Sequence, residues 1–182
     1  MAIYAGIDYS MTCPAICIWD SNKELKFENC QFFFLKKEAK FNKDFKNVHG
    51  FLLESYSNDM ERFDNASEWA ITILNKYNVK KVAIEGYSMG STKGLIFNIA
   101  ENTAFLKYKM FKNNIEVITP APTTIKKFWT GKGNSKKDAM HDALVNKENY
   151  SVADLIGIDS LKSPTSDIVD SYAILQYLVK QG

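Results

Sequence analysis

Four carboxylates stand where apolar segments begin or end. Asp8 closes AIYAGID, Glu85 closes VKKVAIE, and Asp167 and Asp170 open SDIVDSYAILQYLV. A charge at the end of an apolar strand must be paired, or must bind a cation, to offset its lost hydration. Residues at i and i+3 share one helical face, so Asp167 and Asp170 point the same way. Carboxylate oxygens suit hard cations such as Mg²⁺, with Mn²⁺ as a substitute. Four of them can hold two such ions, a common means of activating water against a phosphodiester and of stabilising the leaving oxygen. Structural roles exist for the members taken singly. Asp8 could be a strand-end turn residue, and Asp167 a helix cap with Asp170 in the first turn, where the helix dipole favours acids. Glu85 fits such a role less well, because glutamate is disfavoured in strands. The four together point to a site.

The second chemical signal is basic. From Lys126 to Lys137 the segment KKFWTGKGNSKK carries five lysines and no acid. A solvated basic loop is one reading. The other is a phosphate-binding surface that brings a polyanion to the acids. In that reading Lys126 and Lys137 contact phosphates near the reacting group, and Lys137 stabilises developing negative charge. Lys127, Lys132 and Lys136 add positioning without sequence information. Trp129 is expected to anchor the core rather than to stack on a base. Phe128 and Tyr87 carry the same ambiguity, and a place in the core is favoured for Tyr87.

At 182 residues the chain is expected to form a single domain, 1–182, with a substantial core. The net charge of +2 is too small to identify a partner. No apolar run of about 18 residues exists, so no membrane association is expected. The first residues lack the pattern of a secretory leader, and a cytoplasmic location is expected. Cys13, Cys17 and Cys30 are odd in number and are read as small buried side chains.

The elements that must position these residues follow from periodicity. Strands are expected over 2–8, 15–19 and 25–35, joined by short turns as an antiparallel meander. Residues 36–57 are lysine-rich and irregular. A helix is expected over 59–77, capped by Asn58 or Asp59, with an apolar stripe from Phe63 to Tyr77. A short strand ends at Glu85. A helix over 92–113 carries Leu106 and Met110 on its apolar side and Lys107, Lys109 and Lys112 on the exposed one. A strand over 115–119 stops at Pro120. Helices follow over 123–129, 135–146 and 166–180, with a loop over 147–164. Strands alternating with helices after a meander give a mixed α/β sheet of five strands flanked by helices.

The ordered motifs GIDYS, AIEG, IKKFWTGKGNSKKDAM and SDIVDSYAI resemble those of the RuvC family of Holliday junction resolvases, within the RNase H-like superfamily. The resemblance spans nearly the whole chain. The family pairs a lysine at the start of the third segment with one on the next helix, a spacing that Lys126 and Lys137 match, with Lys136 as the substitute. The resemblance implies an RNase H-like fold and a Mg²⁺-dependent endonuclease acting on branched DNA. It implies resolution of a four-way junction by paired symmetric nicks carrying 5′-phosphates and 3′-hydroxyls. It also implies a homodimer, since two symmetric cuts suit a two-fold enzyme. The sequence departs from the bacterial pattern in two places. GIDYS lacks the proline–glycine that commonly follows the aspartate. Ser88 stands where bacterial members place an aromatic that stacks beside the crossover, and Tyr87 is the nearest candidate stacker. The lysine- and asparagine-rich composition resembles that of phage or viral members, which would act in the host cytoplasm.

Two other readings remain open from the sequence. One keeps the chemistry and broadens the substrate to flapped DNA or RNA–DNA hybrids. The other is a non-catalytic DNA-binding scaffold. An actin-like sugar kinase or ATPase is set aside, since 182 residues are few for two lobes and no GxxxxGK[ST] loop is present.

Overall fold

The structure, a computed structural model, describes residues 2–87 and 95–181. A mixed seven-stranded sheet forms its centre. The strands are β1 (Ile3–Asp8), β2 (Ala15–Asp20), β3 (Gln31–Lys36), β4 (Asp44–Phe45), β5 (Val48–Leu52), β6 (Lys81–Ile84) and β7 (Glu116–Ile118). Their order is β4-β5-β3-β2-β1-β6-β7. β1, β2 and β3 form the expected antiparallel meander. β6 joins β1, and β7 joins β6, in parallel.

The sequence pattern gives five of these strands, and the structure adds β4 and β5 from the lysine-rich segment. β5 pairs parallel to β3, and β4 returns along β5 as a two-residue edge strand. VHGFL conceals a strand because its last two residues are exposed and Gly50 interrupts its side chains. That glycine is obligatory, since a Cβ there would lie 1.9 Å from the Phe41 carbonyl oxygen. The third strand also begins later than its pattern implies. Phe27–Asn29 is a 3-10 turn that buries Phe27 in stacking contact with Phe32, centroids 4.2 Å apart.

Among the described residues six α-helices cover the sheet: α1 (Asp59–Lys76), α2 (Leu95–Lys112), α3 (Pro122–Thr130), α4 (Lys137–Glu148), α5 (Val152–Ile156) and α6 (Thr165–Gln181). Asn58 caps α1 by accepting from the Glu61 amide, while Glu61 accepts from the Ser57 amide and hydroxyl. α5 lies within the expected loop, and one turn capped by Ser151 is too short to show a period. Alternation in the strands sorts the core into two layers. Ala5, Ile7, Ile16, Ile18, Val82 and Ile84 pack under α1 and α2. Cys17, Phe32, Phe34 and Ala83 pack under α6 and its neighbours α3 and α4. Cys13, Cys17 and Cys30 are buried free thiols. No helix among the described residues is long and apolar enough to cross a membrane.

α6 is the central helix. It is buried from Thr165 to Gln176 apart from Asp170, which is partly exposed. Its close seat on β1 depends on Gly6, where a Cβ would stand 2.3 Å from the Leu175 amide nitrogen and 2.4 Å from the Ser171 carbonyl oxygen. Farther along the helix, buried polar groups are matched in place. Tyr172 donates to Glu148 Oε1 at 2.6 Å and accepts from Gln176 at 2.7 Å.

Candidate active site

The parallel register of β1 and β6 brings the first two acids together. Their pairing ends at Ile7 opposite Ile84, and the next amide, that of Glu85, donates to the Ile7 carbonyl at 3.2 Å. Asp8 and Glu85 therefore stand side by side, their backbones about 4.8 Å apart. Ile7 and Ile84 point under α1 and α2, so alternation turns Asp8 and Glu85 to the face that α6 covers. α6 covers that face with its first two turns, Asp167 in the first and Asp170 in the second. The close approach at Gly6 fixes Ser171 and Leu175 of the same helix against β1.

The charges register one another. Burial raises the Asp8 carboxyl well above the usual range, and the charges of Asp167, Asp170 and Glu85 push it further. Asp170 is raised to about 7 by burial, then by Glu85 and Asp167. Burial raises Glu85, with Lys126 opposing. Burial also raises Asp167, against the pull of Ser163, Lys137 and Cys13. One oxygen of Asp167, Oδ2, is buried without a hydrogen-bond partner. Such an atom is costly to leave unmatched.

Both lysines of the expected pair reach this cluster. Lys126, on α3, acts on Glu85 and Asp170. Lys137, the first residue of α4, donates to Ser166 Oγ at 2.9 Å and opposes the charge on Asp8, Asp167 and Asp170. Ser163, Ser166 and Cys13 thus join the cluster without having stood out in the sequence. Ser163 and Ser166 lie within four residues of Asp167, a signal too common to single them out. Lys127, Lys132 and Lys136 are exposed. Lys132 lies in a turn closed by Thr130 and Ser135. Trp129 is a core anchor, as expected, donating to the Met140 carbonyl at 3.0 Å. Phe128 is half-buried, edge-on to Tyr177.

Two expectations need correction. Tyr87 does not enter the core: it is 38% exposed, with Lys107 5.5 Å from its ring centroid. The strand ends at Ile84, so Tyr87 has left the pleat that would have buried it. Lys109 is not a free surface cation, because it bridges Asp64 at 2.8 Å and Glu68 on α1. Ser88 lies outside the described residues.

The donor set fits divalent cations in its chemistry. It consists of carboxylate oxygens that repel one another, with one oxygen left without a partner. Among the described residues no three His, Cys, Asp or Glu side chains stand close enough together, as placed, to hold a metal ion.

No family model matches the sequence, and no curated protein does. Solved structures do match, over almost the whole chain. Thermus thermophilus RuvC, in complex with a Holliday junction substrate, superposes with a TM-score of 0.66 at 16% identity, covering 100% of this chain and 97% of that one. The chain has the RuvC-like fold. The fowlpox virus resolvase in complex with Holliday junction DNA gives 0.54 at 17% identity, over 98% and 97% of the two chains. The yeast mitochondrial Holliday junction resolvase gives 0.56 at 13% identity, over 94% and 75%. The RuvC-like fold accounts for the meander, the parallel strands that follow it and the closing helix across β1.

Proposed function

We propose that this chain is a Mg²⁺-dependent endonuclease that resolves four-way DNA junctions by paired symmetric nicks. The observation that supports the reading is the mutual charge effect of Asp8, Glu85, Asp167 and Asp170 in a RuvC-like fold, with Lys126 and Lys137 opposing it. Two divalent cations held by these carboxylates would supply an activated water and charge stabilisation at the leaving oxygen. The chain's own residues do the rest. Lys126 and Lys137 neutralise backbone phosphates drawn towards the acids. Ser166 holds the Lys137 ammonium in place through its hydroxyl. Exposed Lys127, Lys132 and Lys136 add attraction that salt screens.

Two symmetric cuts call for two copies, and the surface supports a homodimer. Phe97, Tyr108 and Phe111 on α2 are 71%, 64% and 74% exposed, beside exposed Met60 on α1. Exposed aromatics on adjoining helices suit an isologous contact between copies.

The test is incubation of the pure protein with a synthetic mobile four-way junction and Mg²⁺, with nicks mapped on all strands. Symmetric nicks that vanish in Asp8→Asn, while binding persists, support the reading. Equal cleavage of a flap and an RNA–DNA hybrid would broaden the substrate. Binding without cleavage under any divalent cation would leave a non-catalytic scaffold.

A further inference from the structure

The chain has one arginine, Arg62, against 22 lysines. It stands in the first turns of α1 and donates to the Met11 carbonyl in the turn that follows Asp8. Its guanidinium lies 5.4 Å from the centroid of the Tyr56 ring, and the Lys37 ammonium lies 4.2 Å from the same centroid. Two cations over one ring repel each other, and the ring's electron cloud offsets only part of that repulsion. Among the described residues no carboxylate lies within ion-pair distance of Lys37 or Arg62. Glu38 also lines the cavity these groups share, but its carboxylate is engaged by Lys36 at 3.5 Å. These groups line a cavity of about 420 Å³, whose wall includes Met11, Thr12 and Lys36. The arrangement is short of one negative charge and has room for it.

The cavity borders the acid cluster. Lys36 links the two, because its ammonium also reaches the Ser163 carbonyl at 3.4 Å. Thr12 is four residues from Asp8, so their separation cannot exceed about 14 Å of extended chain. A DNA strand advances about 3.4 Å per nucleotide. A phosphate in the cavity would therefore lie within about four nucleotides of the acids. The cavity sits at the β2–β3 side of the strand ends, whereas Lys126 acts from the β6 side.

We propose that Lys37, Tyr56 and Arg62 form a second nucleic-acid contact, an anchor that grips one backbone phosphate of the substrate strand across the acid cluster from Lys126. The anchor rests on the nuclease reading and extends it to both sides of the cut. Arg62 supplies a planar fork of donors to the phosphate, and Lys37 adds an exposed charge. Tyr56 keeps both cations in place.

The experiment measures binding by fluorescence anisotropy against salt concentration, using a labelled four-way junction and a labelled 12-nucleotide single strand. Wild type is compared with Lys37→Met, Tyr56→Leu and Arg62→Lys. Lys23→Met, a change at an exposed lysine remote from the cavity, controls for net charge. Arg62 also secures the turn after Asp8, so each variant's melting temperature is measured, and Lys37→Met carries the test if Arg62→Lys unfolds. One lost phosphate contact reduces the slope of log K against log salt by about 0.9 on the junction and about 0.7 on the single strand, roughly an eightfold and a fivefold weakening at 0.1 M salt. That change in Lys37→Met and its absence in Lys23→Met support the anchor. Unchanged slopes in Lys37→Met and Tyr56→Leu overturn it, even if wild type resolves the junction. If wild type binds the single strand but never cuts the junction, the nuclease reading fails and the slopes on the strand still decide the anchor. If wild type binds neither ligand, both fail.

Discussion

Replacing Asp170 with asparagine should stabilise the metal-free protein and abolish cleavage. Folding raises this carboxyl from 3.8 to about 7, through burial first and then through Glu85 and Asp167. An acid whose proton is held more tightly in the folded state is penalised as pH rises. The penalty is absent below pH 3.8, grows as the unfolded carboxyl gives up its proton, and is complete above about 7. Three units at about 1.4 kcal/mol each give a ceiling of about 4 kcal/mol at pH 8. For a chain of this length each kcal/mol moves the melting temperature by about 2–4 °C. The asparagine amide must itself find hydrogen bonds inside the cluster, which returns part of the gain. A rise of about 5 °C or more is expected at pH 8 in EDTA, falling to less than half by pH 5. Millimolar Mg²⁺ should raise the melting temperature of the wild type more than that of the variant. Scanning calorimetry at the two pH values, with and without Mg²⁺, measures all of this. If Asp170→Asn melts below wild type at pH 8 in EDTA, Asp170 contributes a structural hydrogen bond and the repulsive cluster is wrong.

The remaining expectations concern other parts of the site. Gly6→Ala should lower the melting temperature by several degrees and suppress cleavage, because overpacking of this kind costs about 1–3 kcal/mol and must displace α6 with its two acids; a variant that melts like wild type refutes the close seating. Lys137→Met should slow single-turnover cleavage more than it weakens junction binding, since its charge matters most as negative charge develops; equal losses would make it a plain phosphate contact. Tyr87→Ala should cut junction cleavage roughly tenfold, on a stacking contribution of about 1–3 kcal/mol, and leave a pre-opened flap little affected. Parallel losses on both substrates would count against stacking at the crossover.

The parts of the molecule legible in the sequence are those where one strong pattern acts alone. Asp8 and Glu85 end apolar runs, and those runs become adjacent parallel strands. The final helix is apolar on most of its surface because the sheet and α3, α4 and α5 surround it. Other features depend on partners distant in sequence. β5 exists because β3 lends it a ladder, which VHGFL does not advertise. Lys109 looks like a surface charge until α1 brings Asp64 and Glu68 to it. Tyr87 follows a buried strand by three residues, but the pleat that would bury it stops at Ile84. The cavity of Lys37, Tyr56 and Arg62 gathers residues from three segments, none of which has a motif of its own.

Asp8 lies in the first strand, while Asp167 and Asp170 lie on the sixth helix. Some 160 residues of chain must be arranged before those acids can meet. Contacts that distant carry the largest loop-closure cost and tend to form late. A half-folded chain, or one clipped between α5 and α6, keeps Asp8 and Glu85 together at most, with no complete set of carboxylates. On the proposed nuclease function, cutting power would arrive with the final docking step, and a misassembled copy would be harmless to the DNA around it.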